Sequence, residues 1–155
     1  MYLVYALPPR KIESDTRMKR WWKGWLFVAM ALLSACAVMS PAPPEVSQNS
    51  AVLALVQNAH TDVDAGRFPN AVATLERALR IEPKNPRLWQ VLARVRLQQG
   101  EYAQAESVAA RSNSWAVDDV SLRSENWRLI SEARAARGDD AGAKAALERA
   151  ERTDR

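Results

Sequence analysis

Side chains that could act as nucleophiles, general bases or metal ligands are scarce in this sequence of 155 residues. It contains one cysteine, Cys36, and one histidine, His60. Asp62 and Asp64 follow the histidine closely, but a Ser-His-Asp set also needs an activated serine, and no G-x-S-x-G motif occurs. One histidine and one cysteine do not complete a structural zinc site. We therefore predict no catalytic residue, no metal site and no cofactor, so the protein is not expected to be an enzyme.

The surroundings of Cys36 explain its presence better than catalysis does. Nine apolar residues, "WLFVAMALL" at 25–33, follow a segment containing Lys19, Arg20 and Lys23, and Ser34 and Ala35 come next. A basic segment, a short apolar run and small residues are typical of a secretory signal peptide. The run is too short to span a membrane, which takes about 20 apolar residues.

Residues Leu33, Ser34, Ala35 and Cys36 resemble the lipobox of bacterial lipoproteins. The resemblance implies cleavage before Cys36 and a covalent lipid on its sulfur. Because residues 1–17 fit poorly in front of a signal peptide, we expect translation to start at Met18, which makes 1–17 a spurious extension and 18–35 the signal. Ala37 is not the aspartate linked to inner-membrane retention, so the resemblance places the protein on the outer membrane, facing the periplasm.

Removing the signal peptide also removes the net positive charge. The whole chain carries a formal charge of +4, but 16 of its 22 basic and 16 of its 18 acidic residues lie from residue 36 onward. A neutral mature protein lacks the basic stripe of a nucleic-acid-binding domain, so we expect no nucleic-acid partner. Residues 36–50 hold the lipidated cysteine and a proline-rich tether, which reaches about 40 Å when extended.

Residues 51–155 contain an internal repeat. Gly66 and Gly100 are 34 residues apart, and Gly138 follows after 38 more. Four sets of residues lie at the same offsets from these glycines. One set has large side chains, Leu55, Trp89 and Trp127, and three have small ones: Ala59, Ala93 and Ser131; Ala71, Ala105 and Ala143; Ala78, Ser112 and Ala150. The period and these positions resemble the tetratricopeptide repeat. The resemblance implies an all-α fold, a short α-solenoid of three helical hairpins at about 52–85, 86–119 and 124–155.

The two junctions between repeats differ in sequence. In "IEPKNPRLW", Pro83 ends one helix, Asn85 can cap the next, and Pro86 suits its first turn. The second junction, "RSNSWAVDDVSLRS", has no such proline, and the preceding helix is expected to fade within it. Trp115 lies in this segment. Two interpretations remain open for it: a plug between repeats, or an exposed anchor for a partner.

In tetratricopeptide proteins the first helices of successive repeats line a concave groove that binds other proteins. Positions spaced by three or four residues share one face of a helix. The resemblance maps the groove to Leu53, Val56, His60 and Val63; Arg87, Gln90, Arg94 and Leu97; and Glu125, Arg128, Glu132 and Ala135. One end of this groove is apolar, its middle is basic, and its far end is mixed. The charged positions could equally be solvated surface.

A lipobox, a tether and a compact repeat domain together resemble outer-membrane lipoproteins of Gram-negative bacteria. The most similar group in plan is the Lpo-type activators, which bind a bifunctional class A penicillin-binding protein and stimulate peptidoglycan synthesis. The resemblance implies a lipid-anchored adaptor with an envelope protein as its partner. The alternative is a pilotin-like lipoprotein that assists assembly of a secretin or type IV pilus.

Overall fold

Six α-helices follow one another along the part of the chain that the structure, a computed structural model, describes, which is residues 46–153. They are α1 (Ser50–Asp64), α2 (Phe68–Ile81), α3 (Pro86–Gln98), α4 (Tyr102–Trp115), α5 (Val120–Ala136) and α6 (Asp140–Thr153). The described residues contain no strand, which confirms the predicted all-α class. None of these helices is long and apolar enough to cross a membrane. The predicted signal peptide, Cys36 and most of the tether lie outside the described residues.

Three hairpins, α1/α2, α3/α4 and α5/α6, each turn at one of the aligned glycines. Gly66, Gly100 and Gly138 have positive φ angles of 71°, 84° and 80°. At the first turn, the Gly66 N–H donates to Val63 O and the Arg67 N–H donates to Asp62 O, and the same two bonds recur at the other turns. This is the Schellman motif, which favours glycine because its left-handed backbone penalises a Cβ. The 34-residue spacing therefore reflects a repeated helix stop.

Small side chains let the two helices of each hairpin approach closely. Ala59 and Ala71 in the first hairpin, and Ala93 and Ala105 in the second, are all nearly inaccessible to solvent. In the third hairpin Ser131 replaces alanine, and its hydroxyl donates to the Ala143 carbonyl at 2.8 Å. The predicted small-residue pairs are thus the contact points of the hairpins.

The interior changes character along the chain. Side chains of α1, α2 and α3 form one apolar cluster that includes the fully buried Val52, Leu75 and Leu88. The cluster between α3 and α6 is built mainly from alanines around Ile130. Buried polar groups supplement it, because Asn126 Nδ2 donates to Ser112 Oγ at 2.7 Å and that hydroxyl donates to Pro86 O at 2.7 Å. The second half of the domain therefore relies more on hydrogen bonds.

The end of the predicted tether is bound to the first inter-repeat turn. Asn85 Nδ2 donates to Val46 O at 2.8 Å, and the buried Ser47 hydroxyl donates to Glu82 Oε1 at 2.6 Å. Asn49 then caps α1 by accepting from the Ala51 N–H. Residues 46–49 are thus packed on the domain, which shortens the free tether that the sequence predicted for 36–50.

The second junction is more regular than predicted. Helix α4 continues through Trp115 instead of fading, and α5 begins at Val120, ahead of the predicted start of the third repeat at 124. Helix α5 has 17 residues where α3 has 13. This difference accounts for the four additional residues between the second and third glycines.

Candidate protein-interaction face

The first helices of the three hairpins form the face on which the sequence placed a groove, called the inner face here. Val52 and Val56 of α1 share an apolar cluster with Leu88 and Leu92 of α3. Helices α3 and α5 are joined by side-chain bonds, including one from Gln90 Nε2 to Glu125 Oε2 at 2.9 Å. The helices α1, α3 and α5 therefore follow one another as the repeat architecture requires.

The predicted groove residues differ widely in exposure. The exposed ones are His60, Arg94, Arg128, Glu132 and Ala135, and the half-buried ones are Leu53, Val63, Arg87, Leu97 and Glu125. Val56 and Gln90 are 6% and 7% exposed, so the expectation that they are open to a partner is wrong. Val56 packs into the apolar cluster, and Gln90 lies between α3 and α5. That the exposed residues bind a partner stays a prediction.

The basic middle of the groove is neutralised from within the molecule. Arg87 Nη2 lies 2.6 Å from Asp119 Oδ2, and Arg94 Nη2 lies 3.0 Å from Glu125 Oε2. The same Glu125 oxygen accepts the bond from Gln90. The three donors that were predicted to meet a partner thus already have acceptors on the next repeat.

These two ion pairs differ in how easily they open. The Arg94 and Glu125 side chains are 54% and 45% exposed, whereas Arg87 and Asp119 are 24% and 30% exposed. Exposed ion pairs contribute about 0–1 kcal/mol. Arg94 can therefore leave Glu125 for another carboxylate at little cost, and the Arg87–Asp119 pair is the structural one.

Asp119 links this face to the start of α5. Burial of its carboxyl acts to raise the pKa, but the backbone N–H of Leu122, the Ser121 hydroxyl and the charges of Arg87 and Arg123 outweigh it and lower the pKa below its usual value. Leu122 N and Ser121 Oγ donate to Asp119 Oδ1 at 3.0 Å and 2.9 Å. The ionised carboxylate is thus the stabilised form in the folded protein.

Replacing Asp119 with asparagine is expected to lower the free energy of unfolding by about 1 kcal/mol at neutral pH, because asparagine keeps the helix cap but loses the charge. A lowered pKa in the folded state stabilises the protein above the unfolded value of about 3.9, and this contribution is lost as the pH falls through the folded pKa. Urea unfolding of both proteins should therefore differ at pH 7 and converge in acid. An equal difference at both pH values would contradict this assignment.

His60 is the histidine that the sequence singled out. His60 is exposed on α1. Within residues 46–153, no group of three or more histidine, cysteine, aspartate or glutamate side chains is placed to hold a metal ion. The inner face offers hydrogen-bonding and apolar surface, which suits binding of a protein.

Trp115 has features of both interpretations that the sequence left open, a plug between repeats and an exposed anchor for a partner. It lies at the end of α4, with Lys84 Nζ 5.5 Å from the centroid of its ring, so it bridges the two inter-repeat connections. It is still 38% exposed. The side chain therefore contributes to the junction and leaves a part of its ring available.

The sequence did not predict a cleft that lies on the side of the stack opposite the inner face. It has a volume of about 460 Å³ and is bordered by α2, α3 and α4, and its apolar lining comprises Leu79, Pro83, Trp89, Leu92 and Val108. Trp89 donates its indole N–H to Pro83 O at 2.9 Å.

A repeated aromatic-arginine pair marks the same side of the stack. Arg111 lies over the Trp89 ring at 5.0 Å, and Arg149 lies over the Trp127 ring at 4.9 Å. Each arginine follows its tryptophan by the same number of residues. This recurrence is visible in the sequence and could have revealed the pairing.

Comparison with known proteins agrees with this geometry. A family model of the tetratricopeptide repeat matches residues 62–124. The fold and this match define a tetratricopeptide-repeat domain, a class of scaffold that binds other proteins.

Among solved structures, the globular C-terminal domain of P. aeruginosa LpoP is 42% identical to this chain, with a TM-score of 0.66. The match covers 68% of this chain and 99% of that one. The chain belongs to the family of this LpoP domain.

A second match shows the fold alone. The N-terminal domain of stress-induced protein-1 from C. elegans is 15% identical, with a TM-score of 0.63, and the match covers 66% of this chain and 84% of that one. No curated protein sequence matches the chain.

Proposed function

We propose that this protein is a lipid-anchored adaptor of the bacterial envelope that binds and activates a bifunctional class A penicillin-binding protein. The observation that carries the proposal is the 42% identity to the LpoP domain over 99% of that domain. The match covers 68% of this chain, and the repeat body is the part of a tetratricopeptide protein that binds a partner. The similarity favours this role over the pilotin-like alternative.

The proposed anchor is a lipid on Cys36. Leu33, Ser34 and Ala35 precede it as in a lipobox, and they follow a basic and apolar signal. The proposal places the mature protein on the outer membrane, facing the periplasm. Several acyl chains hold a protein stably on a bilayer, whereas one chain holds it only reversibly.

The proposed mechanism is a shift in the partner's conformational equilibrium. A scaffold without catalytic groups accelerates a reaction only if it binds the active state of the enzyme more tightly than the inactive state. A tenfold change in that equilibrium takes about 1.4 kcal/mol of differential affinity. One or two favourable contacts on the inner face are enough to supply it.

Arg94 is the residue on the inner face best placed to make such a contact. Its guanidinium is exposed, its present pair with Glu125 is weak, and α3 holds it at the centre of the three hairpins. Leu53 and Val63 on α1 add apolar surface to one side. The partner surface expected here carries a carboxylate next to apolar side chains.

Replacing Arg94 with glutamate is expected to weaken binding to the synthase by about 2–5 kcal/mol if Arg94 meets a buried carboxylate. Arg152→Glu is the matched control, since Arg152 is 60% exposed and forms a comparably weak pair with Glu148 on α6. Binding of each purified protein to the synthase is measured by isothermal titration calorimetry, and circular dichroism checks the fold. Equal affinities of the two variants for the synthase would show that Arg94 is not part of the binding site.

The function itself is tested by the identity of the partner. The mature protein is titrated with the class A synthase and with the secretin of the same cell, each purified. Saturable binding to the synthase with none to the secretin is expected. Binding to the secretin instead would replace this proposal with the pilotin-like role.

A further inference from the structure

Large apolar side chains are exposed at one end of the helical stack, which is called the apolar pole here. Among residues 46–153, Val117 is 70% exposed, Ile81 is 47%, Val120 is 45% and Trp115 is 38%. All four lie where a second helix of a hairpin ends or where the next hairpin begins. Leu147, on α6, is the other large apolar side chain exposed in this part of the chain.

The two connections at the apolar pole are bonded to each other. Lys84 in the first connection lies over the Trp115 ring at 5.5 Å, and Arg87 pairs with Asp119 of the second at 2.6 Å. Arg123 donates to the carbonyl oxygens of Ala116 and Val117. This guanidinium holds the second connection in the shape that leaves Val117 exposed.

The chain also enters the domain at this pole. Val46 and Ser47 are hydrogen-bonded to Asn85 and Glu82 of the first connection. Val46 follows Cys36 by ten residues, which reach about 31 Å in an extended polyproline conformation. A helix of 14 residues is about 21 Å long. The tether therefore joins the domain at this pole, and its reach limits how far the pole can lie from a lipid on Cys36.

We propose that the apolar pole inserts into the interfacial layer of the membrane that holds the lipid anchor. This inference rests on the lipid anchor of the proposed function. Tryptophan rings favour the membrane interface, and a lysine beside them can extend its ammonium group to the headgroups. Trp115 and Lys84 form such a pair, with Val117, Val120 and Ile81 supplying apolar surface.

Two further features of the pole favour a membrane over a protein partner. The short tether gives the pole a high effective concentration at the bilayer surface, so a weak apolar contact is enough to dock it. The charges of the segments 46–49, 82–89 and 116–123 also balance: the acidic residues are Glu82, Asp118 and Asp119, and the basic ones are Lys84, Arg87 and Arg123. Insertion is thus driven by apolar burial and is independent of anionic lipid.

Docking at this pole would orient the domain. The stack would stand on the membrane by the ends of α2 and α4, with the glycine turns at Gly66, Gly100 and Gly138 pointing away from it. The inner face would then be directed sideways, along the plane of the bilayer. A partner anchored in either membrane could reach it there.

The test places an environment-sensitive fluorophore on the pole of the processed, lipidated protein. Lipidation consumes the thiol of Cys36, the chain's single cysteine, so Val117→Cys provides a unique labelling site. Ala65→Cys is the matched control, because Ala65 is exposed beside Gly66 at the opposite end of the stack. Both proteins are reconstituted into phosphatidylcholine vesicles, and a parallel sample uses phosphatidylglycerol.

The label at position 117 is expected to gain intensity several-fold, shift to the blue and be quenched by brominated lipid, while the label at position 65 does none of these. The response should be the same in both lipids and at high salt. A response found in phosphatidylglycerol alone and lost in salt would replace apolar insertion with charge adsorption and overturn the inference.

Three further outcomes would also overturn the inference, and they separate its failure from that of the proposed function. If the protein floats with the vesicles while the label at position 117 stays in water, the pole does not insert and the anchor stands. A label that responds only when the purified synthase is added would make the pole a protein interface. An unmodified Cys36, with the protein left free in solution, would refute the anchor and this inference together.

Discussion

Replacing Leu88 with alanine is expected to lower the free energy of unfolding by about 2–5 kcal/mol. Leu88 is completely buried and packs in the apolar cluster that α1, α2 and α3 share. The substitution removes apolar contacts and leaves a cavity that the surrounding helices fill only in part. Because small domains are stabilised by about 5–15 kcal/mol, the loss is a large share of the total. Urea unfolding followed by circular dichroism measures it.

Leu147→Ala is the matched control for this prediction. Leu147 is also a helical leucine, but it is 44% exposed on α6. We expect its replacement to change the free energy of unfolding by about 0.5 kcal/mol. Similar losses for the two variants would show that the first three helices do not contain the main apolar core.

Replacing Cys36 with alanine is expected to abolish lipid attachment and cleavage of the signal peptide. The variant cannot form the thioether, so neither the lipid nor the processing that depends on it should appear. Labelled palmitate added to growing cells should enter the wild-type protein and be absent from the variant. Cell fractionation should find the wild-type protein in the outer membrane. The variant should be absent from that fraction and should be recovered as a precursor that retains its signal peptide.

Ser40→Ala, a change in the proposed tether, is the control for the Cys36 variant. It leaves the lipobox intact and should be labelled and fractionated as the wild type is. Labelling of the Cys36→Ala protein, or a free Cys36 thiol in the mature wild type, would refute the lipoprotein proposal while leaving the repeat fold unaffected.

The repeat architecture was predictable from the sequence because its key residues act locally. A glycine at 66, 100 and 138 ends a helix through its own backbone conformation, and no distant contact is needed to recognise it. The alanines at matching offsets mark where helices touch, since a bulky residue there would force the helices apart. Asn85 and Pro86 start α3 by capping it and by fitting its first turn. These signals recur at one period, so each supports the others.

The exposure of the inner face was less predictable because it depends on the neighbouring repeat. Helical spacing shows that Val56 and Gln90 share a face with His60 and Arg94, but it does not show which of them the adjacent helix covers. The pairing of Arg87 with Asp119 joins residues 32 positions apart, and its geometry depends on how the two hairpins stack. The cleft beside Trp89 and the packing of Ser47 on the first connection also depend on contacts between residues far apart in the sequence.

The activation of a class A synthase is the central claim, and the rate of peptidoglycan synthesis tests it most directly. The purified class A synthase of the same organism is supplied with its lipid-linked precursor, with and without the mature protein, and glycan polymerisation and crosslinking are followed. We predict faster synthesis with the wild type and with the Arg152→Glu control, and a loss of this stimulation with a folded Arg94→Glu variant. An unchanged rate with saturating wild-type protein would contradict the account.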